Sequence, residues 1–351
     1  MFTFRRTFIP NLALGKPINK ARSLCWLGND LVDWAGGGTR YCPDGTVHQA
    51  RVIMAFGFDC AVSSADGVYS AIFVRLGTKG LVLKNGSVLR EINRSFYFAE
   101  SYEYPVAFLE LPNGRTALIH CPDNYCRLEI EDAETGERLT RRDADQADFF
   151  HSRLAVSPDR RHFISAGWRW HPFNDVIIFD VNEILNDATK LDRNDHEHRL
   201  AQYGKGVEIA SAVFQEPGRL AVATAHECDD PDYQDDDERD LLGPGMIGVY
   251  NILGRRFIST ASLKEPAGTI MPVGERHAVS FYRHPKVIEL STGKVVQRWP
   301  DLNSGEQLSS IIRHQELSPP IAMDARNRRF AIASDDGVTV IQVDDEVSAT
   351  E

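Results

Sequence analysis

An all-β fold, a seven-bladed β-propeller of four-stranded antiparallel blades, is predicted by three observations in this 351-residue sequence. A tight turn followed by alternating apolar residues recurs along the chain. The recurrence is spaced by roughly 40–50 residues, the length of one four-stranded blade. The two ends carry complementary leftovers: the last unit stops at VTVIQVDDE without a fourth strand, and the chain opens with an unassigned strand-like segment, MFTFRRTFI. Pairing those ends would close a ring and remove two exposed sheet edges at once.

The whole chain, 1–351, then reads as one domain, and its blades follow in order. Blade one (22–56) rests on the glycine run WAGGGTR, with GGGTRYCPDG (36–45) as the connection between its second and third strands. Blade two (57–103) has the turn SSADG, then VYSAIFVRL and GLVLKNG; blade three (104–149) has LPNG, RTALIHC and CRLEIEDAETG. Blade four (150–206) has SPDRR, HFISAGW and DVIIFDV; blade five (207–265) has QEPGR, RLAVATA and MIGVYNILG. Blade six (266–318) has PVGER, HAVSFY, KVIELSTG and a polar fourth strand in GKVVQRWPDL. Blade seven is built from 319–345, with DARNRR, FAIAS and GVTVIQV, plus residues 2–10. Gly, Asn, Asp and Pro supply the backbone angles that such hairpins need. The long connection DLNSGEQLSSIIRHQELSPP (301–320) is expected to hold a short helical turn.

The stretch AVSPDRRHFISAG resembles the first hairpin of a WD repeat, and in DVIIFDV the pair Phe179-Asp180 stands where Trp-Asp would. The chain is thus similar to the WD-repeat and related bacterial seven-bladed propellers. That resemblance implies a fold and no particular partner, because propellers host scaffolds, lyases, lactonases and receptors alike.

Composition narrows the partners. Lys and Arg total 39 against 50 Asp and Glu, a formal net charge of -11, so most of the surface repels a phosphate backbone and general nucleic-acid binding is not expected. MFTFRRTFIPNLALGKP lacks the apolar run of about 7–15 residues of a secretory signal, and no stretch approaches the roughly 18 apolar residues of a membrane span. The expectation is a soluble cytoplasmic protein without membrane association. Six cysteines (25, 42, 60, 121, 126 and 228) are sparse for this length and read as reduced core thiols, with Cys121 and Cys126 close enough in sequence to bridge a hairpin loop.

In a four-stranded blade with strands a to d, the b–c and d–a connections share one face, and here they are the long ones. Loops on a rigid scaffold are where function concentrates. Three features fall there. The first is WRWHPFND, whose Trp168, Arg169, Trp170, His171 and Phe173 lie beside the aromatic segment SFYFAESYEY (95–104) of the neighbouring blade. Trp, Tyr and Arg dominate binding hot spots, although packing between blades also consumes aromatics.

The second is an acidic insertion, 226–245. Its HECDDPDYQDDDERD stretch holds nine acids and one base, among them Asp229, Asp230, Asp232, Asp235, Asp236 and Asp237. Such a run is either a solvated loop or a surface for a basic partner, and it lacks the central Gly of an EF-hand. The third is quasi-periodic: His120, His171, His226 and His284 fall at or just past the end of strand b in four successive blades. Imidazoles at equivalent positions either cap strands or converge near the mouth of the ring, where they could hold one zinc or manganese ion. Asp123, Glu227, Asp229 and His314 are the neighbouring candidates for a base or a further ligand.

No Gly-x-Ser-x-Gly elbow and no phosphate-binding glycine loop occurs, so no catalytic residue is assigned. The favoured function is a non-enzymatic interaction scaffold, without a cofactor, holding a protein partner on the loop-rich face. The alternatives are a metal-assisted hydrolase or lyase with a His-lined site at the channel mouth, and an acidic inhibitor or immunity-type protein.

Overall fold

The computed structural model describes residues 3–50, 52, 54–143, 147–170, 173–192, 200, 206–228, 242–313, 315 and 318–344. Seven antiparallel sheets are arranged as the blades of a closed propeller. Innermost strands of neighbouring blades pack side by side around the ring, including Ile321–Asp324 of blade seven against Cys25–Leu27 of blade one. Between each pair of adjacent blades lies one hydrophobic cluster, seven in all. This follows from the alternation seen in sequence: a strand sandwiched between two blades buries both faces, so its apolar residues go to both neighbours.

The ring closes as expected. Phe4–Pro10 forms the outer strand of blade seven, pairing with Gly337–Val343 in unbroken register from Phe4↔Val343 to Pro10↔Gly337. A small ribbon, Leu12–Ala13 with Lys16–Pro17, follows and was not foreseen. Blades one, two, five, six and seven have four strands.

Blades three and four depart from the four-strand expectation. In blade three the sheet stops at its third strand, Glu129–Asp132, and Arg138 makes only an isolated bridge to Glu131. In blade four the third strand, Phe173–Asp180, runs into helix α1, Val181–Asn186, and a 3-10 turn, Ala188–Asp192. The local sequence explains this. Asp180 caps the helix by accepting from the amides of Asn182 and Glu183, and Val181 and Ile184, three apart, bury one helical face. The Asp of the Phe-Asp pair therefore starts a helix where other blades begin a fourth strand.

Two connections also differ from their expected form. GGGTRYCPDG contains the third strand of blade one, Thr39–Tyr41, so only 34–38 joins the second strand to it. The 301–320 connection contains no helix among its described residues. Its described residues form a strap over the loop-rich end of the central channel, bonded to Ser101, Glu103 and Asn174.

Candidate functional site

The aromatic segments that sequence placed in neighbouring blades meet on the loop-rich face. Phe150 stacks on Trp168 with ring centroids 3.6 Å apart and planes 12° from parallel, and Tyr125 stacks on the same Phe150 at 4.1 Å. Tyr102 packs edge-on to both Phe150 and Trp168. Above this buried tier sit Tyr97, 5.0 Å from Tyr125, and Phe98, 5.3 Å from Trp170. Phe96, Tyr97 and Trp170 present 83%, 47% and 47% of their surfaces to solvent.

Specific backbone features place these rings. Gly167 precedes Trp168, and a Cβ there would lie 1.9 Å from the Phe150 carbonyl oxygen, so only glycine lets the two segments bond as Phe150 N–H to Trp168 O. The 95–104 connection is clamped by Arg94, a buried guanidinium that donates to the carbonyls of Gly77, Ala99 and Tyr102 and stacks on the rings of Tyr102 and Tyr104. Phe98 is held at φ +52°, a conformation unfavourable for a bulky side chain, between Phe150, Trp168 and Trp170.

The strap binds this region from the far side of the ring. Ile312 N–H donates to Ser101 O, Ile311 bridges Tyr102, Ser310 Oγ donates to Asn174 Oδ1, and Gln307 Nε2 donates to Glu103 Oε2 at 2.9 Å. The loop-rich mouth of the channel is thereby covered. The opposite mouth, at the a–b turns, opens into a cavity of about 780 Å³.

The predicted residues divide. Trp168 is buried and serves as pedestal, whereas Trp170 is exposed. Arg169 stacks over Phe173 at 4.7 Å and pairs with the buried Asp175 at 3.2 Å. His171 and Asp229, Asp230, Asp232, Asp235, Asp236 and Asp237 lie outside the described residues, as does His314. Phe96, Tyr97, Tyr125 and Phe150 were missed as individual residues; the aromatic density of 95–104 was the available signal.

The described histidines do not meet at the channel. His120 is buried in blade three with Nε2 3.0 Å from Glu131, whose carboxylate also takes Arg90 at 3.0 Å. Asp123 forms a two-pronged pair with Arg138 that holds its carboxyl below the usual range. His226 and Glu227 are exposed at the end of the second strand of blade five. His284 lies 3.4 Å from Arg298, and burial followed by the nearby Lys286 and Arg298 charges lowers its pKa. None of the three lines the channel cavities. The reason is geometric: strand a faces the channel, and strand b stands one strand further out, between blades. Among the described residues no group of three or more His, Cys, Asp or Glu is placed to hold a metal ion. None of the six cysteines is joined in a disulfide, Cys121 and Cys126 included.

One charged cluster organises the same face of blade six. The buried Lys286 ammonium lies 2.6 Å from Glu265, and Arg298 bonds the other oxygen of that carboxylate. Glu265 is held at about 2, against 4.5 for an ordinary glutamate, first by the Arg298 hydrogen bond and then, against the cost of burial, by Lys286. A lowered carboxylate pKa gives stability that is complete above the unfolded value and lost as pH falls from about 4.5 toward 2. Solvent screening limits it to on the order of 1 kcal/mol. Urea midpoints measured from pH 6 to 2.5 should fall less steeply in Glu265→Gln than in the parent, and parallel profiles would remove this assignment.

The fold is widely shared. A chain of the "Crystal Structure of Mitotic Checkpoint Complex" superposes with a TM-score of 0.56 at 11% identity, covering 97% of this chain and 91% of that one. In all, 1045 solved chains match, a breadth that defines a fold and not a function. No family model matches, and no curated protein does. Fold and face together define the class: a seven-bladed β-propeller, similar in fold to that chain.

Proposed function

We propose that this protein is a non-enzymatic interaction module, holding a protein partner on its loop-rich face with Phe96, Tyr97 and Trp170 as anchors. The observation that carries the reading is the two-tier aromatic cluster: exposed Tyr97 and Trp170 packed on the stacked Phe150, Trp168 and Tyr125, with the exposed Phe96 next to Tyr97 in the chain. Pre-positioned Trp and Tyr side chains bury large area on binding while losing little side-chain freedom. By sequence the acidic run that follows the second strand of blade five is a connection of the b–c kind, and on this reading it meets a basic rim on the partner. The free thiols support a cytoplasmic setting. The fold's occurrence in a multiprotein assembly is a precedent for such use.

The test is a partner recovered by crosslinking from the native cell and then titrated with purified protein. Phe96→Ala combined with Trp170→Ala should weaken that complex by roughly 30-fold or more, the scale of a hot-spot loss, while the melting temperature stays close to the parent's. Affinity should also fall as salt rises, because exposed charges are screened over about 8 Å at physiological ionic strength. A complex indifferent to the double variant would overturn the aromatic face as the binding surface.

A further inference from the structure

We propose that the strap-covered end of the central channel is a binding site for a small monocarboxylate with an apolar tail, independent of the aromatic face. Beneath the strap lies a cavity of about 300 Å³. Its walls are Val62, Val106, Ala155, Val213, Ile270 and Ile321 on the innermost strands, and the charged side chains among its lining residues are Arg75, Glu103 and Arg153. An apolar tube ending in two guanidiniums has the polarity of an amphipathic acid.

The charges do not balance inside this space. Glu103 is already engaged: one oxygen accepts from Gln307 Nε2, and the other lies 3.9 Å from Arg75 Nε. Arg75 also has the exposed Asp59 beside it, whose carboxylate accepts from the Arg75 backbone N–H. Arg153 has no carboxylate in hydrogen-bond contact among the described residues. Its Nε and Nη1 donate to the carbonyls of Ala166 and Ala210, and its Nη2, buried, has no hydrogen-bond partner there. Arg153 also sits at φ +35°, a backbone cost borne at the position that brings its side chain to the channel. A guanidinium short of one partner in an apolar enclosure favours a carboxylate, which offers a planar pair of acceptors and one compensating charge.

Access is from the other side. Successive residues of the innermost strands line this cavity and then the wide one, as in Val62 and Ser63, Ala155 and Val156, or Val213 and Phe214. A ligand enters at the a–b turn mouth and travels carboxylate first, and its tail rests along the wall. The strap residues Gln307 and Ser318 form the floor, with Ser318 O accepting from Arg75.

Octanoate is the probe, with octanol as its uncharged counterpart, each titrated by calorimetry into the full chain. Octanoate should bind saturably at one per chain and at least about tenfold more tightly than octanol, the scale of a charge-assisted hydrogen bond. Arg153→Met, which keeps an unbranched apolar stem and removes the guanidinium, should remove that preference. Ala155→Phe, which fills the tube without removing a guanidinium, should block both ligands and serves if Arg153→Met fails to fold. Equal affinity of the parent for the two ligands, no saturable binding of octanoate to the parent, a preference for octanoate that persists in folded Arg153→Met, or octanoate binding that persists in folded Ala155→Phe would overturn the site.

Discussion

Deletion of residues 3–10 is expected to lower stability by about 5 kcal/mol or more, a large part of the roughly 5–15 kcal/mol that holds a domain together. The segment supplies the outer strand of blade seven through seven paired positions. Ile9 is 1% exposed and packs with Leu31, Tyr41, Ala331 and Val338 in the cluster between blades seven and one. Emptying that position alone costs about 2–5 kcal/mol. Removing the strand also strips Gly337–Val343 of its ladder and takes Phe4 from its edge-on contact with Trp299. The freed edge is an unpaired strand, GVTVIQV, rich in apolar residues, which invites association between chains. Denaturation midpoints of the deletion and of Ile9→Ala, with light scattering on both, check this. A deletion that keeps the parent midpoint and stays monomeric would show that blade seven is complete without it.

Closure of the ring was legible in sequence because a missing strand at one end and a surplus strand at the other are complementary facts, and a sheet edge is costly wherever it lies. The aromatic face was legible for the same kind of reason: WRWHPFND and SFYFAESYEY are dense in rings, and the order of blades puts the two segments side by side. What sequence did not show is which rings are exposed. Trp168 and Trp170 differ by two residues and would be read alike, yet one faces Phe150 and the other solvent. That depends on the Gly167 contact, which is tertiary.

The histidines mark the opposite limit. Their positions recur at the end of strand b, but recurrence along the chain does not make side chains converge when the strand is second from the axis. His120 meets Glu131 of its own blade instead. The channel residues that do gather, Arg75, Glu103 and Arg153, flank strand a or end strand b, and nothing local distinguishes them from other surface charges. The strap contact of Gln307 with Glu103 joins residues 204 apart in sequence, beyond any local pattern.

The junction of blades three and four should prove the most sensitive point to a single substitution. Among its described residues blade three has no fourth strand, and polar side chains take its place. Arg142, with its side chain 2% exposed, lies 2.6 Å from Asp192 and 3.3 Å from Glu129, and it also donates to the carbonyls of Leu128 and Thr140. Thr140 Oγ1 donates to Glu129 Oε2 and accepts from Ile130 N–H, which sews the 138–142 segment to the third strand. Asp192 ends the 3-10 turn of blade four, so a single guanidinium joins two blades. Arg142→Met leaves Glu129 to Arg127, whose Nε lies 3.1 Å away, but leaves Asp192 buried without a cationic partner among the described residues, and an uncompensated buried charge costs about 3–5 kcal/mol. Adding Glu129→Gln and Asp192→Asn should recover much of that loss, because a buried triad is itself worth little against neutral replacements. Denaturant midpoints of the single and triple variants decide between outcomes: a single variant within about 1 kcal/mol of the parent would mean that the triad is solvated, and a triple variant as unstable as the single would mean that Arg142 acts through packing and its carbonyl bonds instead of through charge.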